Sequence, residues 1–371
     1  MKQSPLYEQI YREILEQIQN GTFCAGDRLP SEKELSEQYH VSRITSKKAL
    51  EMLSDAGLVV RMPGKGSFVS DQNLRQQVSS LQKREENGGN VIGVILDGFG
   101  PSFGCQLLGS IEAECQRQGI SMVLHCSYGK MEEESRAISQ MRRLGVDGIL
   151  IMCVHDENYN ASILQMVVEH FPVVTIDRQL KGIPVSFVGT DNESAARELA
   201  GYLLDDGYKK ICFVKPCAVE TSTVQDRMNG FRMAYNERGM VADENLWIMD
   251  MKATLPMYFG EEQLEKDMGY VTKFIREHRE IEAFFAVEYS IARIIYRCLY
   301  NMGLHKKYPV VCFDSSENIM NESMFTHVKQ DEGKIGRLGV QILMDAIHGN
   351  KEIRSVQVPY QIIEVTDPAI D

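Results

Sequence analysis

The sequence predicts two parts of different class. A winged helix-turn-helix, α-helical with a β-hairpin wing, comes first, and a larger α/β part of two lobes with parallel sheets follows. Three observations predict this. Ser31 and Glu34 stand three apart just before Leu35, as the two halves of a capping box, and Val41-Ser42 restarts the chain with an apolar residue and an N-cap. Pro63-Gly64-Lys65-Gly66 joins two short β-prone runs. From Val91 onward, short apolar runs alternate with amphipathic helical stretches, the pattern of buried parallel strands covered by helices on both faces.

Residues 5–20 place Tyr7, Ile10, Tyr11, Ile14 and Ile18 at helical spacing and close at Asn20-Gly21. This stripe reads as core. The short helix after Ser31 turns Leu35 and Tyr39 inward, and the next carries Ala49, Leu50 and Leu53 as its apolar stripe, with Gly57 at the C-cap. Near the start of that second helix, Arg43, Thr45, Ser46 and Lys47 are polar. In a helix-turn-helix this end of the recognition helix meets base edges in the DNA major groove. Leu58–Met62 and Ser67–Ser70 read as the strands of the wing, whose glycines let the backbone and Lys65 approach a phosphate or a groove. The alternative for a module of this shape is a protein-interaction domain.

Charge separates the two parts. The formal net charge is −12, yet residues 1–70 carry nine basic and nine acidic side chains, so the excess falls wholly on the remainder. An acidic bulk repels DNA and confines contact to the N-terminal module. At 371 residues two or three domains are expected. The nine cysteines are odd in number and lack a C-x-x-C pair, so they read as small buried hydrophobes, not as a disulfide or zinc framework. No metal or cofactor is expected. Lys2-Gln-Ser-Pro is no signal peptide and no apolar run reaches membrane-spanning length, so the expected compartment is the cytoplasm, without a membrane partner.

The domain boundaries read as 1–70 for the winged helix, 71–89 for a linker and 90–371 for the lobed part. The linker is polar and ends in Gly88-Gly89; a flexible segment of its 19 residues reaches roughly 25 Å. Strands are expected at 91–96, 122–125, 148–152, 173–176, 210–214, 283–287 and 310–313. Helices are expected at 105–118, 132–144, 192–205, 224–238, 261–277 and 290–302. Some 280 residues exceed one ordinary sheet, hence two lobes, with ligand bound between them beyond the carboxyl ends of the strands.

Two resemblances sharpen the reading. Leu29-Pro-Ser-Glu32, Val41-Ser-Arg43 and the Gly-rich wing ending Phe68-Val69 make the first part similar to the winged helix of the GntR family of bacterial transcription regulators. That resemblance implies DNA contacts at Lys33, Arg43, Thr45, Lys47, Gly64 and Lys65. Lys33 and Lys47 stand where the family often has arginine; lysine neutralises phosphate but lacks the bidentate fork for guanine. From residue 90 on, six strings occur in order: Ile176-Asp-Arg178, Val188-Gly-Thr-Asp-Asn192, Gly207-Tyr-Lys-Lys-Ile211, Arg227-Met-Asn-Gly-Phe231, Val311-Cys-Phe-Asp314 and His327-Val-Lys-Gln-Asp331. Together they resemble the effector domain of the lac and galactose repressor family, itself similar to periplasmic sugar-binding proteins. This implies crossings between the lobes near 188–192, 328–331 and 354–358, a homodimer, operator DNA as partner and a carbohydrate effector, an arabinose-like pentose first.

A sugar site needs carboxylates, amides and guanidinium groups in a dry cleft, with an aromatic face for the ring. Asp177, Arg178 and Asp314 end predicted strands, Arg227 opens a helix, and Phe99 and Phe103 sit in the loop after the first strand. Where the family reads Ala-x-Asn-Asp, this chain has Ala286-Val287-Glu288-Tyr289, so a carboxylate that only accepts replaces an amide. This points toward a donor-rich or amine-bearing effector, or toward a structural role between the lobes. Gly98-Phe-Gly100 lacks the third glycine of a dinucleotide turn. His125 and His155 follow strands without a supporting nucleophile, and no cofactor-lysine context is visible, so no enzyme activity is expected. The alternative to a DNA-binding regulator is a sugar sensor or scaffold whose winged helix contacts protein.

Overall fold

The computed structural model describes residues 5–24, 26–55, 58–62, 66–69, 89–154, 160–217, 221–316 and 323–365. Gly57, Gly64, Lys65, His155 and nearly all of the expected linker lie outside these described residues. The chain divides into two compact units, Met1–Asn90 with Gln140–Val146, and Val91–Ser139 with Asp147–Asp371.

The N-terminal module is α1 (Leu6–Gln19), α2 (Glu32–Gln38), α3 (Arg43–Asp55), β1 (Val59–Met62) and β2 (Gly66–Val69). Its core is the predicted stripe set: Ile10, Ile14, Leu35, Ala49, Leu50 and Leu53, joined by Leu29, Leu58, Val59 and Val69. The capping box is complete, since Ser31 Oγ accepts from the Glu34 N–H at 3.3 Å and Glu34 Oε2 accepts from the Ser31 N–H at 2.6 Å. Ser46, fully buried, donates to the Glu32 carbonyl at 2.7 Å and so ties α3 to the start of α2. His40 takes the left-handed φ of 52° in the tight turn between these helices, a position glycine usually fills. The hairpin pairs Val59 with Val69 and Met62 with Gly66. Residues 26–29 add to its open edge through the Leu29 N–H to Ser67 O and the Val69 N–H to Asp27 O, both 2.9 Å, a pairing with no hydrophobic alternation to announce it.

The second unit holds two six-stranded sheets. Sheet one has the order β13-β7-β6-β5-β3-β4 and is parallel throughout. Its strands are β3 (Val91–Leu96), β4 (Ser121–Cys126), β5 (Gly148–Ile151), β6 (Val173–Ile176), β7 (Ser186–Thr190) and β13 (Ser355–Val358). Sheet two has the order β14-β12-β11-β10-β8-β9, built from β8 (Ile211–Pro216), β9 (Ile248–Met251), β10 (Ala283–Ala286), β11 (Val310–Phe313), β12 (Thr326–Gln330) and β14 (Tyr360–Ile363). Helices α4 (Cys105–Gln118), α5 (Met131–Arg143) and α6 (Ala161–Val168) belong to lobe one. In lobe two lie α7 (Asn192–Asp205), α8 (Ser222–Glu237), α9 (Glu261–Glu277) and α10 (Tyr289–Asn301). All seven expected strands and six expected helices are present within a few residues of their expected bounds.

Three crossings join the lobes, and their construction explains what the sequence pattern concealed. The first two follow one plan: a strand ends, an aspartate N-caps the next helix, and the chain enters the other lobe. Asp191 Oδ1 accepts from the Ser194 N–H after β7, and Asp331 Oδ1 accepts from the Lys334 N–H after β12. The helix after Asp331 is α11 (Glu332–Ile347), which packs on α4 of lobe one. The third crossing falls at Pro359 between β13 and β14, not at 354–358, because β13 occupies that stretch. A chain leaving β13 at the carboxyl edge of sheet one enters sheet two from the cleft side. Strand β14 therefore runs antiparallel to β12, the exception to the parallel expectation. Among the described residues no helix is long and apolar enough to cross a membrane.

Gly230 on α8 shows how closely α7 and α8 approach. A Cβ there would stand 2.1 Å from the Glu193 carbonyl oxygen and 2.9 Å from the Arg197 nitrogen, both backbone atoms that cannot swing away. Gly230→Ala is expected to destabilise lobe two by about 1–3 kcal/mol through this overpacking, read as a lower denaturant midpoint for the full chain. An unchanged midpoint would mean the helices separate at no cost.

Candidate functional site

In the N-terminal module the start of α3 is exposed. Ser42 caps it, its Oγ accepting from the Thr45 N–H at 3.2 Å and sharing a 2.9 Å hydrogen bond with the Thr45 hydroxyl. Thr45 is therefore partly engaged within the module. Lys33 pairs with Glu37 at 3.8 Å and Lys47 with Glu51 at 3.6 Å, both exposed. Such pairs contribute little and open easily for a phosphate. Arg61 pairs with both Glu32 and Glu51, and Lys48 sits 4.0 Å over the Tyr7 ring. Arg43 is exposed and has no ion-pair partner among the described residues. Beside it, Ile44 is 80% exposed, an apolar group suited to a thymine methyl. Its signal in the sequence was its place in the polar end of α3, off the core stripe.

In the second unit the candidate effector residues gather where strands end. Asp97 follows β3, Cys153 and Val154 follow β5, Asp177 and Arg178 follow β6, Glu288 follows β10 and Asp314 follows β11. Asp177 and Asp314 are structural counterparts in the two lobes. Each takes a left-handed φ, 63° and 64°, and each donates its backbone N–H to a valine carbonyl of the adjacent strand at 2.9 Å, Val188 and Val328 respectively. That backbone turn aims both carboxyl groups off the sheet edge, and aspartate tolerates it better than most residues.

Arg178 is held from three sides. Its Nη2 meets Asp97 Oδ2 at 2.7 Å and its Nη1 donates to the Cys153 and Val154 carbonyls at 2.8 and 3.1 Å. Burial opposes its charge, but Asp97 and Asp177 outweigh this and raise its pKa. Glu134, buried on α5, accepts from the Val154 N–H at 2.8 Å and so fixes the loop that holds Arg178. Arg227 is buried with its guanidinium 3.8 Å over the Phe313 ring. It donates Nε to Asn192 Oδ1 at 2.8 Å and Nη1 to the Val287 carbonyl at 2.6 Å. Two of its donors thus bind the first crossing to the end of β10, so Arg227 has an architectural task. Burial lowers its pKa against the pull of Asp314, Asp177 and Glu288.

Asp314 accepts from Gln330 Nε2 at 2.9 Å. Burial pushes its pKa up to about 7, against the lowering effects of Arg227 and Gln330. Glu288 is the N-cap residue of α10 without capping it, and burial raises its pKa too. The two aromatic candidates part company: Phe99 is 49% exposed, whereas Phe103 packs half-buried against the lobe-one core. Their loop is shaped by the Gly100 N–H to Phe103 O bond at 2.8 Å. It is anchored by Glu332 Oε2, which accepts from Gly104 and Leu107 N–H at 2.7 and 3.0 Å.

A cavity of about 150 Å³ opens between Gly100, Pro101, Ser102, Cys105 and Gln106 of lobe one and Asp314, Ser315, Ser316, His327, Lys329 and Gln330 of lobe two. Of the predicted residues only Asp314 lines it; Asp177, Arg178, Arg227 and Glu288 are not among its walls. Elsewhere the lobes touch through Lys181 Nζ to Asp226 Oδ1 at 2.6 Å and the Gln179 N–H to Ser222 Oγ at 2.9 Å.

The model of the periplasmic binding protein domain matches residues 92–351. The chain belongs to that family. Residues 6–69 match the model of bacterial regulatory proteins of the gntR family. Among curated relatives, the chain is 23% identical over 358 residues to the arabinose metabolism transcriptional repressor of Geobacillus stearothermophilus, covering 93% of this chain and 92% of that one. It is 24% identical over 281 residues to the HTH-type transcriptional repressor PurR of Klebsiella pneumoniae, covering 74% and 78%. Among solved structures, the transcriptional regulator CelR in complex with cellobiose superposes with a TM-score of 0.62 at 19% identity, covering 90% of this chain and 98% of that one. At that identity the likeness is one of fold.

Within this periplasmic-binding-protein domain, residues that bond the candidate side chains were missed from the sequence. Asp97 carried the same strand-end signal as Asp177, and Asn192 and Gln330 lay inside recognised strings. All nine cysteines are free, and Cys24 and Cys105 are exposed, contrary to the buried expectation. His125 lies within edge strand β4 and does not follow it.

Asp314 has a pKa raised from 3.8 to about 7, so the folded chain binds its proton more tightly than the unfolded chain. The stability it lends is complete at low pH and is lost as pH rises between those values. Asn tolerates the same left-handed backbone, so Asp314→Asn is expected to remove this loss. Without ligand, the melting temperature of the wild type should fall relative to the variant from about pH 4 to about pH 7. Parallel curves would contradict a buried, unpaired carboxyl group.

Proposed function

We propose that this chain is a ligand-responsive transcription regulator, a repressor whose winged helix binds operator DNA and whose two-lobed domain takes a small carbohydrate-like effector. The observation that carries the reading is the union, in one chain, of a recognition helix offering a free Arg43 with a cleft of buried, converging strand-end charges. The names of the relatives, an arabinose repressor and PurR, support repression. An arabinose-like pentose is the first effector to try, and CelR holding cellobiose supports a sugar in this fold. On this reading the domains are 1–70, a linker 71–89 and 90–371, and the chain works in the cytoplasm as a homodimer. Its two winged helices would reach successive major grooves of a pseudo-palindromic site. We assign the DNA contacts to Lys33, Arg43, Thr45, Lys47, Gly64 and Lys65, with Ile44 added. The effector contacts fall to Phe99, Asp177, Arg178, Arg227, Glu288 and Asp314, with Phe103 supporting the loop.

Effector binding would shift the lobes about the three crossings, and the contacts of Lys181 with Asp226 and of Gln179 with Ser222 would differ between the two states. A ligand shifts such an equilibrium only by its difference in affinity for the states. The test is a salt-dependent gel shift on DNA upstream of the chain's own gene. Arg43→Ala is expected to lower operator affinity by about 1–3 kcal/mol, one bidentate base contact, while calorimetric binding of L-arabinose or another active sugar stays unchanged. Equal operator affinity in the variant would remove Arg43 from the interface. Absence of any DNA binding by the wild type would favour a sensor whose winged helix contacts protein.

A further inference from the structure

The charged groups of the cleft do not balance. Around the two guanidinium groups stand four carboxyl groups, Asp97 and Asp177 beside Arg178, and Asp177, Glu288 and Asp314 beside Arg227. Asp97 takes Arg178 at 2.7 Å, and the approach of Arg178 to Asp177 is a looser 3.9 Å. Arg227 spends Nε on an amide oxygen and Nη1 on a backbone carbonyl. Glu288 and Asp314 are therefore left without a cation within 4.0 Å among the described residues.

Glu288 has no structural employment that would account for it. It occupies the N-cap of α10, yet its side chain caps nothing. Its Oε1 is buried and accepts no hydrogen bond. The Thr254 hydroxyl faces the Glu288 carboxyl and favours its ionised form against burial, short of a closed hydrogen bond. A second, independent group, Gln330, leaves another buried acceptor open, while the buried donors Arg178 Nε and Thr254 Oγ1 close no hydrogen bond either. Gln330 is 5% exposed and walls the interlobe cavity; it gives Nε2 to Asp314 and leaves Oε1 buried and unpartnered. The neighbourhood is contiguous: Arg227 bonds the carbonyl of Val287, next to Glu288, and lies over Phe313, next to Asp314.

Buried charge is tolerated when it is paired and hydrogen-bonded, and an unmade pair is costly. A neutral sugar hydroxyl gives a carboxylate one donor and no charge, whereas an ammonium group gives three donors and the missing charge. We propose that the effector of this cleft carries a basic amine among its hydroxyls, as an amino sugar or amino polyol does, with the ammonium group held by Glu288. This rests on the reading of residues 90–371 as the effector domain.

The experiment is calorimetry on the full chain with matched pairs: D-glucosamine and D-glucose, D-galactosamine and D-galactose, 1-amino-1-deoxy-D-sorbitol and D-sorbitol, with L-arabinose alongside. In at least one pair the amine is expected to bind roughly tenfold tighter or more than its neutral partner. Glu288→Gln should erase that preference. The wild-type pairs decide the matter even if the variant misfolds. Neutral members that bind as tightly as their amines overturn the proposal, as does a preference that survives in Glu288→Gln. Binding of L-arabinose but of no amine overturns the amine and leaves the effector domain standing. Binding of nothing in the series overturns the amine and removes support from the effector reading as well.

Discussion

Strand direction is the constraint on which the cleft depends. Nearly every strand of both sheets runs parallel to its neighbours, so within each lobe the carboxyl ends lie along one edge. Three chain passages leave one sheet at that edge and enter the other lobe, which turns the two edges toward each other. Polar residues that could not be tolerated inside the strands are admissible at their ends. Asp97, Asp177, Arg178, Glu288 and Asp314 all occupy such ends, and their convergence is a consequence of topology.

Those charges then have to be kept apart from solvent and from collapse onto one another. Arg178 is committed to Asp97 and two carbonyls, and Arg227 to Asn192 and Val287. Both guanidinium groups are locked by lobe architecture. The carboxyl groups are freer, and burial raises the pKa of Asp177, Glu288 and Asp314 together. Glu332 adds a mechanical link, because it begins the helix after the second crossing while holding the Phe99 loop through two backbone N–H groups. A movement at that crossing reaches the loop through one side chain.

The winged module follows a different economy. Its ten-residue core is small, and local devices such as the Ser31–Glu34 box and the Ser46 tie set helix positions that a larger domain would set by burial. Lys33, Lys47, Lys48 and Arg61 have partners within the module. At the exposed start of α3 the helix dipole and Arg43 both favour a polyanion.

The sequence by itself determined the periodic elements and their class. The stripes of α1 to α3 and the apolar runs of β3, β5, β6, β10 and β11 follow from local patterns, because burial on both faces of a sheet or one face of a helix leaves a periodic mark. The capping box was likewise local. Tertiary structure alone decided which strand ends meet and what their charges touch. Strands β7, β12 and β13 read as crossings since each ends at one, and β9 and β14, which lie at the edges of sheet two, lacked a sustained apolar run. Phe103 could not be told from Phe99 until the Gly100 turn put one ring on the core and left the other outside. The same holds for Arg227 and Glu288. A charge at a strand or helix end looks alike in sequence whether its partner is a carbonyl 60 residues away, as for Arg227 and Val287, or, as for Glu288 Oε1, no closed hydrogen bond among the described residues. Hydrogen bonds act over about 3 Å of space irrespective of chain separation, so only the folded chain assigns them.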